Sequence, residues 1–90
     1  MQEWQVEFTG EAENGLAKFG RPIRRRIIDR LDWLAKNFND ATPLPLGGDW
    51  KGFFKLRIGN WRALYKIEFQ RRIITVHYID IRDKIYRRRK

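Results

Sequence analysis

Trp4, Val6 and Phe8 alternate with Gln5 and Glu7, so residues 3 to 8 read as a short strand with one buried face. From Thr9 the spacing changes. Ala12, Leu16 and Phe19 recur at helical intervals around Gly15, a residue that costs a helix about 1 kcal/mol relative to Ala. Gly20 ends this helix, and Pro22 opens a second one, because its fixed φ suits a first turn where its missing N–H is not needed. Ile23, Ile27, Leu31, Leu34 and Phe38 then form an apolar stripe with Ile28 beside it, while Arg24, Arg25, Arg26, Arg30, Asp32 and Lys36 lie mostly off it. Residues 39 to 49 collect Pro, Gly, Asn and Asp and read as a connecting loop.

Three strands follow closely. Phe54, Leu56 and Ile58 alternate with Phe53, Lys55 and Arg57; Trp61, Ala63, Tyr65, Ile67 and Phe69 alternate with Arg62, Leu64, Lys66 and Glu68. Residues 73 to 81 are almost continuously apolar, which suits a central strand. Gly59-Asn60 fits a two-residue hairpin turn, since both residue types tolerate positive φ, and Gln70-Arg71-Arg72 makes a second turn. The order β-α-α-β-β-β predicts an α+β fold in which a helical hairpin covers one face of an antiparallel-dominated sheet. The other face is expected to be free.

The chain of 90 residues suits one domain spanning 1–90, and a domain of this size buries roughly 60–65% of its unfolded surface. A hydrophobic content of 42%, with four Trp, six Phe and three Tyr, supplies one core without staples. The absence of Cys excludes disulfides, a thiolate nucleophile and a Cys-ligated zinc. No window reaches the ~18 apolar residues of a membrane span, and MQEWQVEF lacks the basic and apolar regions of a signal peptide, so a cytoplasmic location is expected. Twenty Lys and Arg against eleven Asp and Glu give a net charge of +9, which directs attention to polyanionic or acidic partners.

The hairpin turn makes that charge specific. With Gly59 and Asn60 at its tip, strand partners sum to 119, so Arg57 lies opposite Arg62 and Lys55 sits one pair further along the same face. Like charges directly opposite destabilise a sheet, and a bound phosphate would remove the conflict. Arg57 and Arg62 suit charge stabilisation, because guanidinium groups bind phosphate bidentately and keep their proton. Lys55, beside two fixed cations, is suited to proton transfer. The register of the second hairpin leaves open whether Asp80 faces Arg62, which would turn part of the cluster into a salt bridge.

Other candidates carry less. His77 lies in the apolar last strand, where a lone histidine is more often packed than catalytic. No His or acidic pair has metal-ligand spacing, and neither a Walker loop nor a dinucleotide fingerprint is present, so no metal or cofactor is expected. Trp33, Trp50 and Trp61 could stack on bases or sit in the core. The run Tyr86-Arg87-Arg88-Arg89-Lys90 reads as a phosphate clamp or a tail, with a phenol at Tyr86 that can exchange a proton.

Leu46-Gly47-Gly48-Asp49-Trp50-Lys51-Gly52-Phe53-Phe54-Lys55-Leu56-Arg57-Ile58-Gly59-Asn60-Trp61-Arg62-Ala63-Leu64-Tyr65, followed by Arg82-Asp83-Lys84-Ile85-Tyr86-Arg87, resembles the pattern of RelE/ParE-superfamily toxins of bacterial type II toxin–antitoxin modules. The resemblance extends over the element order and the whole length. It implies a RelE-like fold and, for the RelE branch, a ribosome-dependent mRNA endonuclease that cuts codons in the A site without metal. On the same fold ParE-like members poison DNA gyrase, and a catalytically silent RNA-binding module is a third alternative.

Position by position, the resemblance aligns Lys55 and Arg57 with the basic pair of the catalytic strand and Arg62 with the phosphate-stabilising arginine. Arg82 matches the basic residue after the last strand, and Tyr86 the C-terminal tyrosine. Arg71, Arg72, Arg87 and Arg88 are the expected RNA-binding residues. Many members carry a histidine where this chain has Ile81, which leaves proton transfer to Lys55 and Tyr86. The family also implies a small cognate antitoxin, whose acidic C-terminal segment, extended or helical, folds on the toxin into a hetero-oligomeric complex. Trp33, off the main apolar stripe, is its expected anchor.

Overall fold

The computed structural model describes residues 3–87. Strand β1 (Gln5–Phe8) leads into helices α1 (Gly10–Ala17) and α2 (Arg21–Lys36), followed by strands β2 (Leu44–Pro45), β3 (Phe54–Ile58), β4 (Trp61–Glu68) and β5 (Ile73–Ile81). The strands form one sheet in the order β1-β5-β4-β3-β2, antiparallel except that β1 pairs parallel with β5. The α+β arrangement and the central place of β5 follow the hydrophobic pattern. The expected loop over 39–49 contains a two-residue edge strand, so the sheet has five strands. Two residues paired to Phe54 and Lys55 carry too little periodicity to register in sequence.

Local chemistry explains the elements. The Thr9 hydroxyl caps α1 by accepting from the Ala12 N–H at 3.1 Å, and Glu11 and Glu13 lie in its positive first turn. Pro22 sits in the first turn of α2, as its position predicted. Phe38 falls beyond α2 in a 3-10 turn, yet remains in the core against Trp4 at 4.2 Å. At the β3–β4 turn only Gly59 takes positive φ, at 58°, the φ pattern of a type II′ turn; Asn60 does not use its tolerance for that region.

Two cores hold the sheet. The larger one packs Ile27, Leu31 and Leu34 of α2 and Ala12 of α1 onto Leu56, Ile58, Ala63, Tyr65, Ile74, Val76 and Ile79. The smaller lies on the opposite face, which was expected to be free: Trp50, Phe53 and Ile85 close over Leu64, with Leu46 and Tyr78 packed against them. The correction has a local cause. The register of β4 on β5 slips between Leu64 and Tyr65, making His77 an extra residue in β5. As a result His77 and Tyr78 both approach Phe53, at 5.4 and 6.0 Å. The His77 carbonyl, displaced from the ladder, accepts from the Thr9 hydroxyl at 3.2 Å.

Gly15 lies against β5, where a Cβ would collide with the Ile79 carbonyl oxygen. Overpacking of that kind costs about 1–3 kcal/mol, more than the gain of at most about 1 kcal/mol that Ala brings to a helix interior. Gly15→Ala should therefore lower Tm by roughly 5 °C, whereas an increase would show that α1 shifts away at no cost.

Burial, with the charge of Lys66 second, holds the His77 imidazole below its usual pKa of 6.5. The unfolded chain therefore binds a proton more readily than the folded one, and this contribution to stability is present above pH 6.5 and lost as pH falls below it. Urea titrations between pH 7 and pH 5 should show the loss, and His77→Gln should flatten that part of the profile.

Candidate functional site

The row Arg57, Arg62 and Asp80 crosses three adjacent strands at one end of the sheet. Arg57 pairs with Arg62 as the turn arithmetic predicts, and the second hairpin places Asp80 on the other side of Arg62. Ile58 and Trp61 close the two-residue turn as a hydrogen-bonded pair, so Arg57 and Arg62 form the next, non-hydrogen-bonded pair, the kind in which side chains approach most closely.

The three expected cations do not share one exposed patch. Arg57 is exposed and Lys55 half-buried, but Arg62 retains only 7% of its surface. Its Nη1 donates to the Gly59 and Trp61 carbonyls, both at 2.8 Å, so the guanidinium ties down its own hairpin turn. Asp80 is 8% exposed, and its Oδ1 accepts from the Ile81 N–H at 2.8 Å. The carboxylate thereby brings negative charge to the row without having been singled out for function. Its place opposite Arg62 required the register across the His77 bulge, which hairpin arithmetic alone could not supply.

Arg82 joins this end through its backbone: its N–H donates to the Asn60 carbonyl at 2.8 Å, holding the end of β5 against the β3–β4 turn. Its exposed side chain lies beside Asp83 at 3.8 Å, and both line a groove with Asn60 and Trp61. Tyr86 follows in a 3-10 turn anchored by the fully buried Ile85, its ring 6.3 Å from Trp50. Trp50 covers the Leu64–Tyr78 pair, one same-face step from Arg62 and Asp80. The half-exposed Tyr86 is thus carried toward the arginine row by the small core. Arg87 is exposed in the same turn, and Arg88 lies outside the described residues.

Arg71 and Arg72 are elsewhere. They occupy the β4–β5 turn, and the eight residues of β4 separate that end from Arg62 by roughly 25 Å. Arg71 pairs with Glu68 at 3.4 Å, while Arg72 takes the left-handed backbone conformation, with φ of 56°, and accepts at its carbonyl from the Gln5 N–H. Among the described residues no three His, Cys, Asp or Glu side chains gather in a metal-binding group. No described helix is long and apolar enough to cross a membrane.

A second concave surface runs along α2. Trp33 is 44% exposed under the Arg30 guanidinium, which lies 4.1 Å from its ring centre. Both line a groove shared with Arg57 and the outer edge of β3. Trp61, by contrast, is half-buried between Phe19 and Arg26, and Trp50 is in the small core.

No functionally curated protein matches the sequence significantly. Among solved structures, a chain of the RelBE2 toxin–antitoxin complex from Mycobacterium tuberculosis has a TM-score of 0.80 and 25% identity, covering 91% of this chain and 94% of that one. A chain of the archaeal RelE–RelB complex from Pyrococcus horikoshii OT3 gives 0.68 and 19%, covering 88% and 94% respectively. The isolated E. coli RelE toxin gives 0.70 and 14%, covering 87% and 83%, and like the archaeal match it shares the fold. The family model described as the ParE toxin of the type II toxin–antitoxin system parDE matches residues 6–86, a span that takes in both helices, the complete β3–β4–β5 meander and Tyr86. This chain therefore belongs to the ParE toxin family and is a RelE/ParE-superfamily toxin of a type II toxin–antitoxin system.

Proposed function

We propose that the chain is a single toxin domain acting in the cytoplasm as a ribosome-dependent mRNA endonuclease. The observation that carries this reading is the arginine row held around one rigid turn, with Lys55 on the same sheet face and a half-exposed phenol anchored against Trp50 of the small core on that face. In the reaction, the 2′-oxygen of a nucleotide in the ribosomal A site forms a bond to the adjacent phosphorus while the bond from phosphorus to the 5′-oxygen breaks. The products are a 2′,3′-cyclic phosphate and a 5′-hydroxyl. One proton leaves the 2′-hydroxyl and one reaches the departing oxygen.

Arg57, Arg62 and Arg82 oppose the negative charge that develops on phosphate, and Lys55 and Tyr86 carry the protons. Arg62 uses Nη1 to hold the turn, which directs the recognition of phosphate to its Nε and Nη2 edge. Arg87 extends the cationic surface from the Tyr86 turn toward the message, and Arg88 is assigned to RNA binding by its charge in the sequence alone. Arg71 and Arg72, at the far end of the sheet, contact RNA away from the cleaved bond.

The partner of the toxin is its cognate antitoxin, an acidic protein that covers the groove at Trp33. An exposed indole stacked under a guanidinium offers the aromatic and Arg pairing typical of binding hot spots. The match to the ParE family model favours a second reading, in which DNA gyrase is the target and RNA remains intact.

Primer extension on an mRNA incubated with translating ribosomes and the purified toxin should show cuts within A-site codons. Arg57→Ala and Tyr86→Phe should each lower the rate by about 10²–10⁴-fold with Tm unchanged. An uncleaved message despite growth arrest, together with loss of gyrase supercoiling, would move the function to gyrase. Because Arg62 also closes its turn, Arg62→Ala should lose both cleavage and several degrees of Tm.

For the antitoxin contact, Trp33→Ala should weaken affinity by about 30-fold without reducing cleavage by the free toxin. Unchanged affinity would remove Trp33 from the interface.

A further inference from the structure

The sheet face that carries the small core keeps its positive charge beyond the arginine row. Past the Phe54–Tyr65 pair, the β3–β4 register sets Phe53 opposite Lys66, so Arg57 with Arg62, then Lys55, then Lys66 follow one another on that face. Four residues of β4 separate Lys66 from Arg62, a span of roughly 13 Å. Neither β3 nor β4 carries a carboxylate between them. Lys66 is exposed, and its ammonium lies 4.7 Å from the centre of the Phe53 ring.

β5 adds a second group to the same ring. As the extra residue of the bulge, His77 joins Tyr78 on this face, and its imidazole stands perpendicular to Phe53 with 5.4 Å between ring centres. Phe53 is thus a platform shared by an ammonium and a half-buried imidazole. The charged groups on the elements packed around His77 are Lys66 of β4, Glu7 of β1 opposite Thr75, and Glu11 and Glu13 in the first turn of α1. Of these, Lys66 is the one whose charge acts on the imidazole, adding to burial in holding its pKa down. Lys66 therefore opposes protonation of His77, and an anion over both groups would remove that conflict. Glu68, the next same-face residue of β4, is engaged by Arg71 at 3.4 Å.

We propose that Lys66 and His77 form a second phosphate subsite, which holds the backbone of the message a short way along the chain from the bond that is cut. The inference rests on the endonuclease reading and extends its site to residues outside the arginine row. A nucleic-acid strand fits better than an acidic peptide, because the platform lies in line with the position of the cleaved phosphate and the phosphates of one strand recur along such a line. Lys66 supplies a permanent charge. His77, neutral at neutral pH, supplies a ring N–H donor and takes up a proton as pH falls.

His77 is the only histidine of the chain, so its ring protons report on the subsite in a proton NMR titration of the full-length toxin. A uridine decamer at low salt should raise the imidazole midpoint, and RNA affinity should accordingly increase as pH falls from 7 to 6. Lys66→Gln, at an exposed position, should keep its Tm and largely abolish the effect of the decamer on His77. The same variant should reduce the slope of log affinity against log salt by about 0.7, the share of one phosphate contact to a single strand. An imidazole midpoint that the decamer leaves unchanged, or a wild-type salt slope in Lys66→Gln, would overturn the proposal. So would an equal response to inorganic phosphate at the same phosphate concentration, which would mark a site for free anions, or a response to the cognate antitoxin with none to RNA. These outcomes are separate from the function. An uncleaved message with a decamer-shifted His77 would leave the subsite standing as an RNA contact, whereas cleavage in A-site codons with an unmoved His77 would keep the endonuclease and remove the subsite.

Discussion

The turn at Gly59 and Asn60 sets the register from which the rest of the site is built. Positive φ at Gly59 closes β3 on β4 with no residue to spare, and Arg57 then has to face Arg62. Two guanidinium groups across a non-hydrogen-bonded pair repel one another. The structure answers by drawing one of them inward. Arg62 is buried beneath the turn with the Gly59 and Trp61 carbonyls on its Nη1, while Asp80 stands across from it on β5. The backbone of Arg82 pins the same turn from the other side. A conflict that stability alone would not favour is thus retained where several elements over-determine it, as expected of a functional site.

β5 connects that end to the remainder of the molecule. It is bordered by β1 and β4, crossed closely by α1 at Gly15, and contributes to both cores. The bulge at His77 makes the double role possible. One extra residue lets Ile74, Val76 and Ile79 remain in the large core while His77 and Tyr78 both reach the small one. The small core in turn carries Ile85 and with it Tyr86, so the position of the phenol depends on a packing defect several residues earlier in the chain.

The two basic surfaces have different physical character. At the sheet end, Arg62 is held by two backbone carbonyls opposite the exposed Arg57, an arrangement that suits recognition of a compact phosphate. Along α2 they flank an exposed indole and an unfinished strand edge, a linear arrangement that suits a polypeptide. Arg57 lies on both surfaces. An antitoxin seated in the groove would therefore cover Arg57, and under the proposed function that occlusion would couple binding to inhibition.

Periodicity and turn chemistry determined the elements, because alternation at two and at about 3.6 residues is imposed locally by side-chain direction. The α2 stripe, the continuous apolar run of β5 and the Arg57–Arg62 pairing were all legible from such short-range rules. So was the outline of the site, since a two-residue turn fixes register by arithmetic. The placement of Asp80, the burial of Arg62 and the second core were not. They depend on one inserted residue at His77 and on which loops fold back over the sheet, and neither leaves a local periodic signal. Arg71 and Arg72 show the same limit from the other side: their charge is plain in the chain, but only the length of β4 decides that they stand at the opposite end from Arg62. The sequence by itself determined which side chains share a strand face; tertiary structure decided which of them meet solvent, because burial depends on contacts between residues far apart in the chain.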